Sequence, residues 1–429
     1  MQVFRVLVFP CGAENALELH DALAYCVNVE LWGASSREDH GHFVFKNYIG
    51  NVPFIQDPSF LSGFNAIISQ NRVDVVFPTH DSVAQFLAEN RDKLECRTIT
   101  ADAETTKICR EKRRTYELFA DCSFVPRMYR SVDEIDDFPV FLKPNAAEGG
   151  KHTELISTRQ RAANGFAEGS DLLLLEYLPG EELTVDCFTD RHGKLRFVGA
   201  RERCRVRYGI SVNSKSRSAP REIQDMAIEI NRRLRMRGLW YFQVKKSATD
   251  RFKLLEISAR TAGTMSLYRH RGVNLPLLSV YDAMDQDVEL LDNEFDVEVD
   301  RALFSRFRLG FEYHRIYLDF DDTLICRGEV QPYVLLLLYQ AVRQGKPIYL
   351  LTRHASDVHE TLSRMKIDAG LFAEIKPLTW DEEKYKAVDP VGKPIFIDNA
   401  FMERKKVKEN LGIPVFDVDA VSCLLDWRS

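Results

Sequence analysis

The chain has 429 residues, of which 45% are hydrophobic and 28% charged, and a formal net charge of -6. That length exceeds a single ordinary core and points to two or three domains of a soluble globular protein. The negative balance argues against a basic nucleic-acid-binding face, and no run approaches the roughly 18 uncharged apolar residues of a membrane span.

The basic runs at 110–114 and 404–408 read as solvated helix faces. Residues 3–9 enter a strand pattern at once, without the charged and apolar regions of a secretory signal. The nine cysteines never form a CxxC pair. They read as reduced thiols filling small apolar sites in a cytoplasmic protein.

Residues 1–105 alternate apolar runs at 6–9, 29–32 and 73–77 with helical stretches near 16–25, 59–70 and 82–93. This alternation predicts a parallel α/β unit. The first strand is followed by Cys11-Gly12-Ala13-Glu14-Asn15, which lacks the glycine spacing of a dinucleotide fingerprint and disfavours a nicotinamide enzyme. Residues 106–300 change to an α+β pattern with hairpin-like strands at 140–143, 172–177, 183–189, 196–202, 238–245 and 253–258. An acidic run at 285–300 reads as a solvated connector marking a boundary. From residue 313 to 429, strands at 316–318, 348–351, 395–397 and 415–416 alternate with helices, predicting a compact three-layer α/β domain.

Phosphoryl transfer from ATP needs cations on the phosphates, oxygen ligands for magnesium and an apolar slot for adenine. The middle segment carries these in order. A strand ends in Lys143-Pro144 and runs into a small loop containing Gly149-Gly150, whose backbone amides suit phosphate. A second apolar strand ends in Glu176-Tyr177-Leu178-Pro179-Gly180, with Glu181 and Glu182 next. Downstream, the strands holding Gln243 and Glu256 read as antiparallel neighbours, so two oxygen ligands meet with Arg260 beside them. Taken singly, a strand-end lysine, a buried glutamate or a glycine pair is more often structural.

In this order the residues resemble the ATP-grasp superfamily, in particular the synthetase modules of the carbamoyl phosphate synthase large subunit. The resemblance spans residues 1 to about 300, including a Rossmann-like domain that precedes the ATP-grasp fold. It implies that Lys112 and Lys143 contact phosphates, that Gly149 and Gly150 lie in the phosphate loop, and that Glu176, Tyr177 and Leu178 form the hinge beside adenine. Glu182 is then the ribose partner, Gln243 and Glu256 ligate magnesium, and Arg260 binds phosphate. Two positions depart from the family pattern: Ser258 replaces a frequent asparagine ligand, and Leu175 replaces a glutamate that reads the adenine amino group. Arg201, Arg203, Arg205 and Arg207 alternate along a strand, which predicts a cationic stripe on one face, suited to an anionic substrate or simply solvated.

In the last domain, Asp319-Phe320-Asp321-Asp322-Thr323 follows an apolar strand. Two carboxylates two positions apart at a strand's C-terminal end can divide nucleophilic attack and proton transfer between them. The pattern is similar to the first motif of haloacid dehalogenase (HAD)-type phosphatases. It implies phosphate binding by Thr352, neutralisation by Lys384 (with Lys376 and Lys386 as competitors), and a magnesium site of Asp319, Asp321 and Asp398. Asn399 stands where many relatives have a second aspartate, and Glu403 is the residue placed to replace it. The stretches between Asp319, Thr352 and Lys384 leave no room for an inserted cap domain, which implies a site that is open or else covered by the ATP-grasp part.

The combined expectation is a cytoplasmic bifunctional enzyme using ATP and magnesium, with manganese as a substitute. An ADP-releasing ligase joins a small carboxylate to an amine or similar nucleophile, and a fused phosphatase acts on a phosphorylated metabolite, with neither nucleic acid nor membrane as partner. A small-molecule kinase, or a nucleotide-sensing regulator with one inactive half, is the alternative.

Overall fold

The computed structural model describes residues 2–146, 152–167, 171–207 and 209–428. The chain forms two compact units, the first ending at Leu303 and the second spanning Phe304–Arg428.

The first sheet of unit 1 contains β1 (Phe4–Phe9), β2 (Val29–Ala34), β3 (Asn47–Ile49), β4 (Val75–Pro78) and β5 (Arg97–Thr98). They pair in parallel in the order β3-β2-β1-β4-β5. Successive side chains of a strand point to opposite faces, and a strand covered on both sides is apolar throughout. β1 obeys the first rule throughout and the second at every position but Arg5, which is half-buried and pairs with Glu30. Phe4, Val6 and Val8 pack with Ala16, Leu19 and Leu23 of α1 (Glu14–Leu23), while Leu7 and Phe9 pack with Phe60, Phe64 and Ile68 of α2 (Phe60–Asn71). The helix α3 (Asp81–Glu89) follows β4 and places Val83 and Leu87 in that second cluster.

After α4 (Ala103–Arg110) and α5 (Lys112–Leu118) come β6 (Met128–Tyr129), β7 (Val140–Pro144), β8 (Glu154–Ile156), α6 (Arg159–Ala167) and β9 (Leu172–Glu176). These strands form an antiparallel sheet in the order β6-β9-β7-β8. A larger antiparallel sheet contains β10 (Glu182–Thr189), β11 (Leu195–Arg207), β12 (Ile210–Arg217), β13 (Gly238–Lys246), β14 (Phe252–Ser258) and β15 (Glu298–Asp300). Its order is β14-β13-β10-β11-β12-β15.

Helix α7 (Arg221–Arg233) buries Ile223, Met226, Ala227 and Ile230, a spacing that puts all four on one helical face. That face packs against Leu183, Val185 and Cys187 of β10 and Trp240 and Phe242 of β13. The chain passes from β9 to β10 through Gly180, where a side chain would collide with Lys246, whose carbonyl accepts the Gly180 N–H at 3.0 Å. The helices α8 (Ser266–Arg269) and α9 (Leu275–Ala283) follow.

The acidic run is solvated as expected, with seven of its eight acidic residues exposed, but it is more than a connector. Its end is the edge strand β15 on β12, and Asp285, Asp287, Asp292 and Asp300 pair with Arg97, Arg191, Arg271 and Arg205. The four-arginine face is also corrected. Ladder irregularities between Arg203 and Arg205 and between Arg205 and Val206 break the alternation, and Arg201 is buried in a bidentate pair with Asp186.

Unit 2 contains β16 (Arg315–Leu318), the hairpin β17 (Ile325–Cys326) and β18 (Glu329–Val330), α10 (Pro332–Arg343), β19 (Ile348–Thr352), α11 (Val358–Arg364), β20 (Glu374–Pro377), β21 (Pro394–Ile397), α12 (Phe401–Leu411) and β22 (Val415–Phe416). The main sheet is parallel in the order β20-β19-β16-β21-β22. Ile316 and Leu318 join Val334, Leu337, Leu338 and Ala341 of α10 on one face, while Tyr317, Leu351 and Phe396 meet Val407 of α12 on the other. The sequence pattern gives no strand at β20, three of whose four residues are exposed.

Candidate functional site

In unit 1, Gln243 of β13 and Glu256 of β14 are direct partners across the antiparallel ladder. Both line a cavity of about 720 Å³ together with Lys112, Arg203, Arg260 and Asp81. Lys112 opens α5, and its Nζ lies 3.7 Å from Glu256 Oε2. An amide oxygen and a carboxylate side by side are hard donors of the kind magnesium takes, with a cation adjacent for phosphate.

Lys143, near the end of β7, is buried and donates to Tyr116 Oη at 2.7 Å and to the Leu255 carbonyl at 3.0 Å. It thus reaches the backbone next to Glu256. Burial, aided by the charge of Lys112, pulls the Lys143 pKa down to about 7. The buried Tyr116 phenol goes the other way, raised by desolvation and by Glu256, and it donates to the Leu255 carbonyl at 2.8 Å.

Glu182 opens β10, with Arg203 Nε at 3.0 Å and Lys245 Nζ at 4.0 Å. Glu176 closes β9; its Oε1 accepts from the Arg127 N–H at 3.0 Å and lies 3.8 Å from Lys253 Nζ. Tyr177 is half-buried and Leu178 buried immediately after it. Gly149 and Gly150 lie outside the described residues.

Arg260 follows β14 into the cavity wall, where its guanidinium is engaged by Asp81. Nε and Nη2 donate to the two Asp81 oxygens at 2.8 and 2.9 Å, and Ser258 Oγ donates to Asp81 Oδ1 at 2.8 Å. Sequence reasoning missed both Asp81 and Tyr116. Asp81 directly follows His80 after an apolar strand and reads as an ordinary acidic first turn of a helix, since its partner Arg260 is 179 positions away.

In unit 2 the register of the parallel sheet sets the site. Leu318 is level with both Leu350 and Ile397, so Asp319 and Asp398 leave adjacent strand ends at the same height, with Thr352 ending the strand on the other side. Lys384 opens a short 3₁₀ turn. It is buried, and its Nζ donates to Asp319 Oδ1 and Asp398 Oδ2, both at 2.6 Å. Lys376 and Lys386 are exposed.

Burial, with Asp398's charge added, lifts the Asp319 pKa to about 6; burial lifts Asp398 as well. Burial acts against the Lys384 ammonium, but the two carboxylates outweigh it and raise its pKa. Thr323 Oγ1 donates to Asp319 Oδ2 at 3.1 Å and accepts from the Asn399 N–H at 3.0 Å.

Asp321 is exposed, with His354 Nδ1 at 2.8 and 3.1 Å from its two oxygens, and Thr352 Oγ1 accepts from the His354 N–H at 3.0 Å. Glu403 Oε1 accepts from Arg353 Nη1 at 2.9 Å. The structure therefore brings Asp319, Asp398 and Lys384 into direct contact, with Asp321 and Thr352 joined through His354. Among the described residues, no helix is long and apolar enough to cross a membrane.

No curated protein matches the sequence. Residues 168–302 match a family model described as ATP-grasp in the biosynthetic pathway with Ter operon. Among solved structures, biotin carboxylase from Campylobacter jejuni in complex with β,γ-ATP aligns at TM-score 0.56 and 13% identity, covering 68% of this chain and 73% of that one. N5-carboxyaminoimidazole synthetase from Staphylococcus aureus, complexed with ADP, aligns at TM-score 0.56 and 14% identity over 68% of this chain and 80% of its own. An L-amino acid ligase from Bacillus licheniformis aligns at TM-score 0.52 and 13% identity over 66% and 75%. By its sheets and by these likenesses, the chain contains an ATP-grasp domain.

Proposed function

We propose that unit 1 is an ATP-dependent ligase that activates a small carboxylate and passes its acyl group to an amine or similar nucleophile. The observation that carries this reading is the meeting of Lys112, Gln243 and Glu256 at one cavity in an ATP-grasp domain. Magnesium, held by Gln243 and Glu256, would neutralise charge on the phosphates.

Lys112, Lys143 and Arg260 supply cations for the phosphates, Tyr177 and Leu178 flank adenine, and Glu182 takes the ribose hydroxyls. A carboxylate oxygen attacks the γ-phosphorus, and the bond to the β–γ bridging oxygen breaks to release ADP. The nucleophile then adds to the acyl carbon and phosphate leaves. The protein's contribution is mainly orientation and charge neutralisation. The named activities of the carboxylase, synthetase and ligase neighbours support this at the level of reaction type.

For unit 2 the reading is a HAD-type phosphomonoesterase. Asp319 attacks phosphorus, while Asp321 protonates the departing oxygen and then takes a proton from the hydrolysing water. Lys384 and Thr352 hold the phosphate. Asp319 and Asp398 already converge within 2.6 Å of a single Lys384 nitrogen. Two carboxylates brought to one place are hard oxygen donors of the kind that would hold magnesium, which would offset the charge of the phosphate. Nine free thiols are in keeping with a cytoplasmic setting.

One paired assay tests both halves. Screening carboxylates with amines should give ADP release that needs both partners and is lost in Glu256→Gln, while p-nitrophenyl phosphate hydrolysis persists in that variant. Asp319→Asn should reverse the pattern, with phosphatase activity falling by at least about a thousandfold. ADP release without an amine identifies a kinase. ATP binding with no turnover by either half identifies a sensor.

A further inference from the structure

Glu256, Ser258 and Arg260 alternate along β14 and its extension, and all three line the same cavity. Side chains two apart share a face of a strand, so the local backbone brings Arg260 to the side on which Glu256 stands. It does not determine where the long arginine side chain goes. That is decided by Asp81, the first residue of α3, in the parallel α/β part of unit 1.

The Asp81 carboxylate takes the Nε and Nη2 donors of Arg260 at 2.8 and 2.9 Å and the hydroxyl of Ser258 at 2.8 Å. The Arg260 guanidinium also lies over the Tyr241 ring, 5.6 Å from its centroid, and Nη1 donates to the Thr261 carbonyl at 3.1 Å. The Arg260 and Asp81 side chains are 15% and 20% exposed, so little of the pair is in bulk water. A bidentate guanidinium–carboxylate contact fixes orientation as well as distance, which a single hydrogen bond does not.

We infer that Asp81 is a positioning residue for the phosphoryl-transfer step: it holds Arg260 at the γ-phosphate end of the bound nucleotide. This rests on the ATP-binding reading of unit 1. It makes the parallel α/β part a contributor to the transfer site as well as a neighbour of it. The role is specific to the transferring group, because ADP lacks the phosphate on which Arg260 acts. Other contacts, such as Thr100 Oγ1 donating to the Ala259 carbonyl at 3.2 Å, still join the two parts when Asp81 is altered.

The test compares calorimetric affinities for magnesium–AMP-PNP and magnesium–ADP in the full-length protein. Asp81→Asn keeps the size of the side chain and removes its charge. It should weaken AMP-PNP about tenfold and leave ADP within about twofold, as loss of a charge-assisted contact to one phosphate requires. Arg260→Gln should show the same selectivity, and the double variant should be no weaker than Arg260→Gln alone. Equal losses for both nucleotides, no loss, or additive losses overturn the proposal and leave the ATP reading intact. Binding of neither nucleotide by the unaltered protein overturns the ATP reading itself. Should Asp81→Asn not fold, Asp81→Glu, which keeps the charge at a longer reach, is judged by the same selectivity.

Discussion

Lys143 donates to two uncharged oxygens, the Tyr116 hydroxyl and the Leu255 carbonyl, and desolvation moves its pKa from the ordinary 10.5 to about 7. Between those values the unfolded chain holds a proton that the folded chain lacks. The contribution of this group to stability therefore rises with pH over that interval and is least favourable below pH 7. A triphosphate placed beside the nitrogen restores the charged form. Binding of magnesium–AMP-PNP at pH 8 should take up close to one proton, seen as a dependence of binding heat on buffer ionisation enthalpy. Lys143→Met should remove that dependence. The sequence singles out Lys143 because it ends an apolar strand, whereas Tyr116, 139 positions from the Leu255 carbonyl it bonds, gives no local signal.

Among the elements, α7 shows how a helix is held by tertiary contact. Its apolar residues recur at 223, 226, 227 and 230, and their cluster includes the fully buried Trp240, whose Nε1 donates to Thr189 Oγ1 at 2.9 Å. Ile230→Ala leaves a cavity under the largest sheet and should cost about 2–5 kcal/mol in denaturant unfolding. A loss below about 1 kcal/mol would show that the helix collapses onto the strands to refill the space. Strand β11 shows the limit of reading by period. Its arginines alternate in sequence, yet ladder irregularities turn Arg205 toward Asp300 while Arg201 is buried on Asp186. An irregularity depends on both strands of a pair, so one strand's pattern cannot disclose it.

At the scale of the whole molecule, the core clusters of Ile316 and Tyr317 draw only on unit 2, and the others only on unit 1. Each unit thus closes its own apolar interior, the condition for cooperative unfolding as a body. Calorimetry should resolve two transitions. Magnesium–AMP-PNP at about 100 times its dissociation constant should stabilise only one of them, by about 2.7 kcal/mol. A single transition that shifts as a whole would show that the units unfold together.

The sequence alone determined the alternation of strands and helices, the paired positions of Gln243 and Glu256, and the carboxylates that leave β16 and β21. All of these follow from short-range periodicity and from the rule that sites form at strand ends. Only the tertiary structure decided that Asp81 holds Arg260, that Lys384 lies between Asp319 and Asp398 while Lys376 and Lys386 are exposed, and that Arg201 is locked on Asp186. Such contacts join residues far apart along the chain. Their geometry depends on how separate elements pack, which no local pattern encodes.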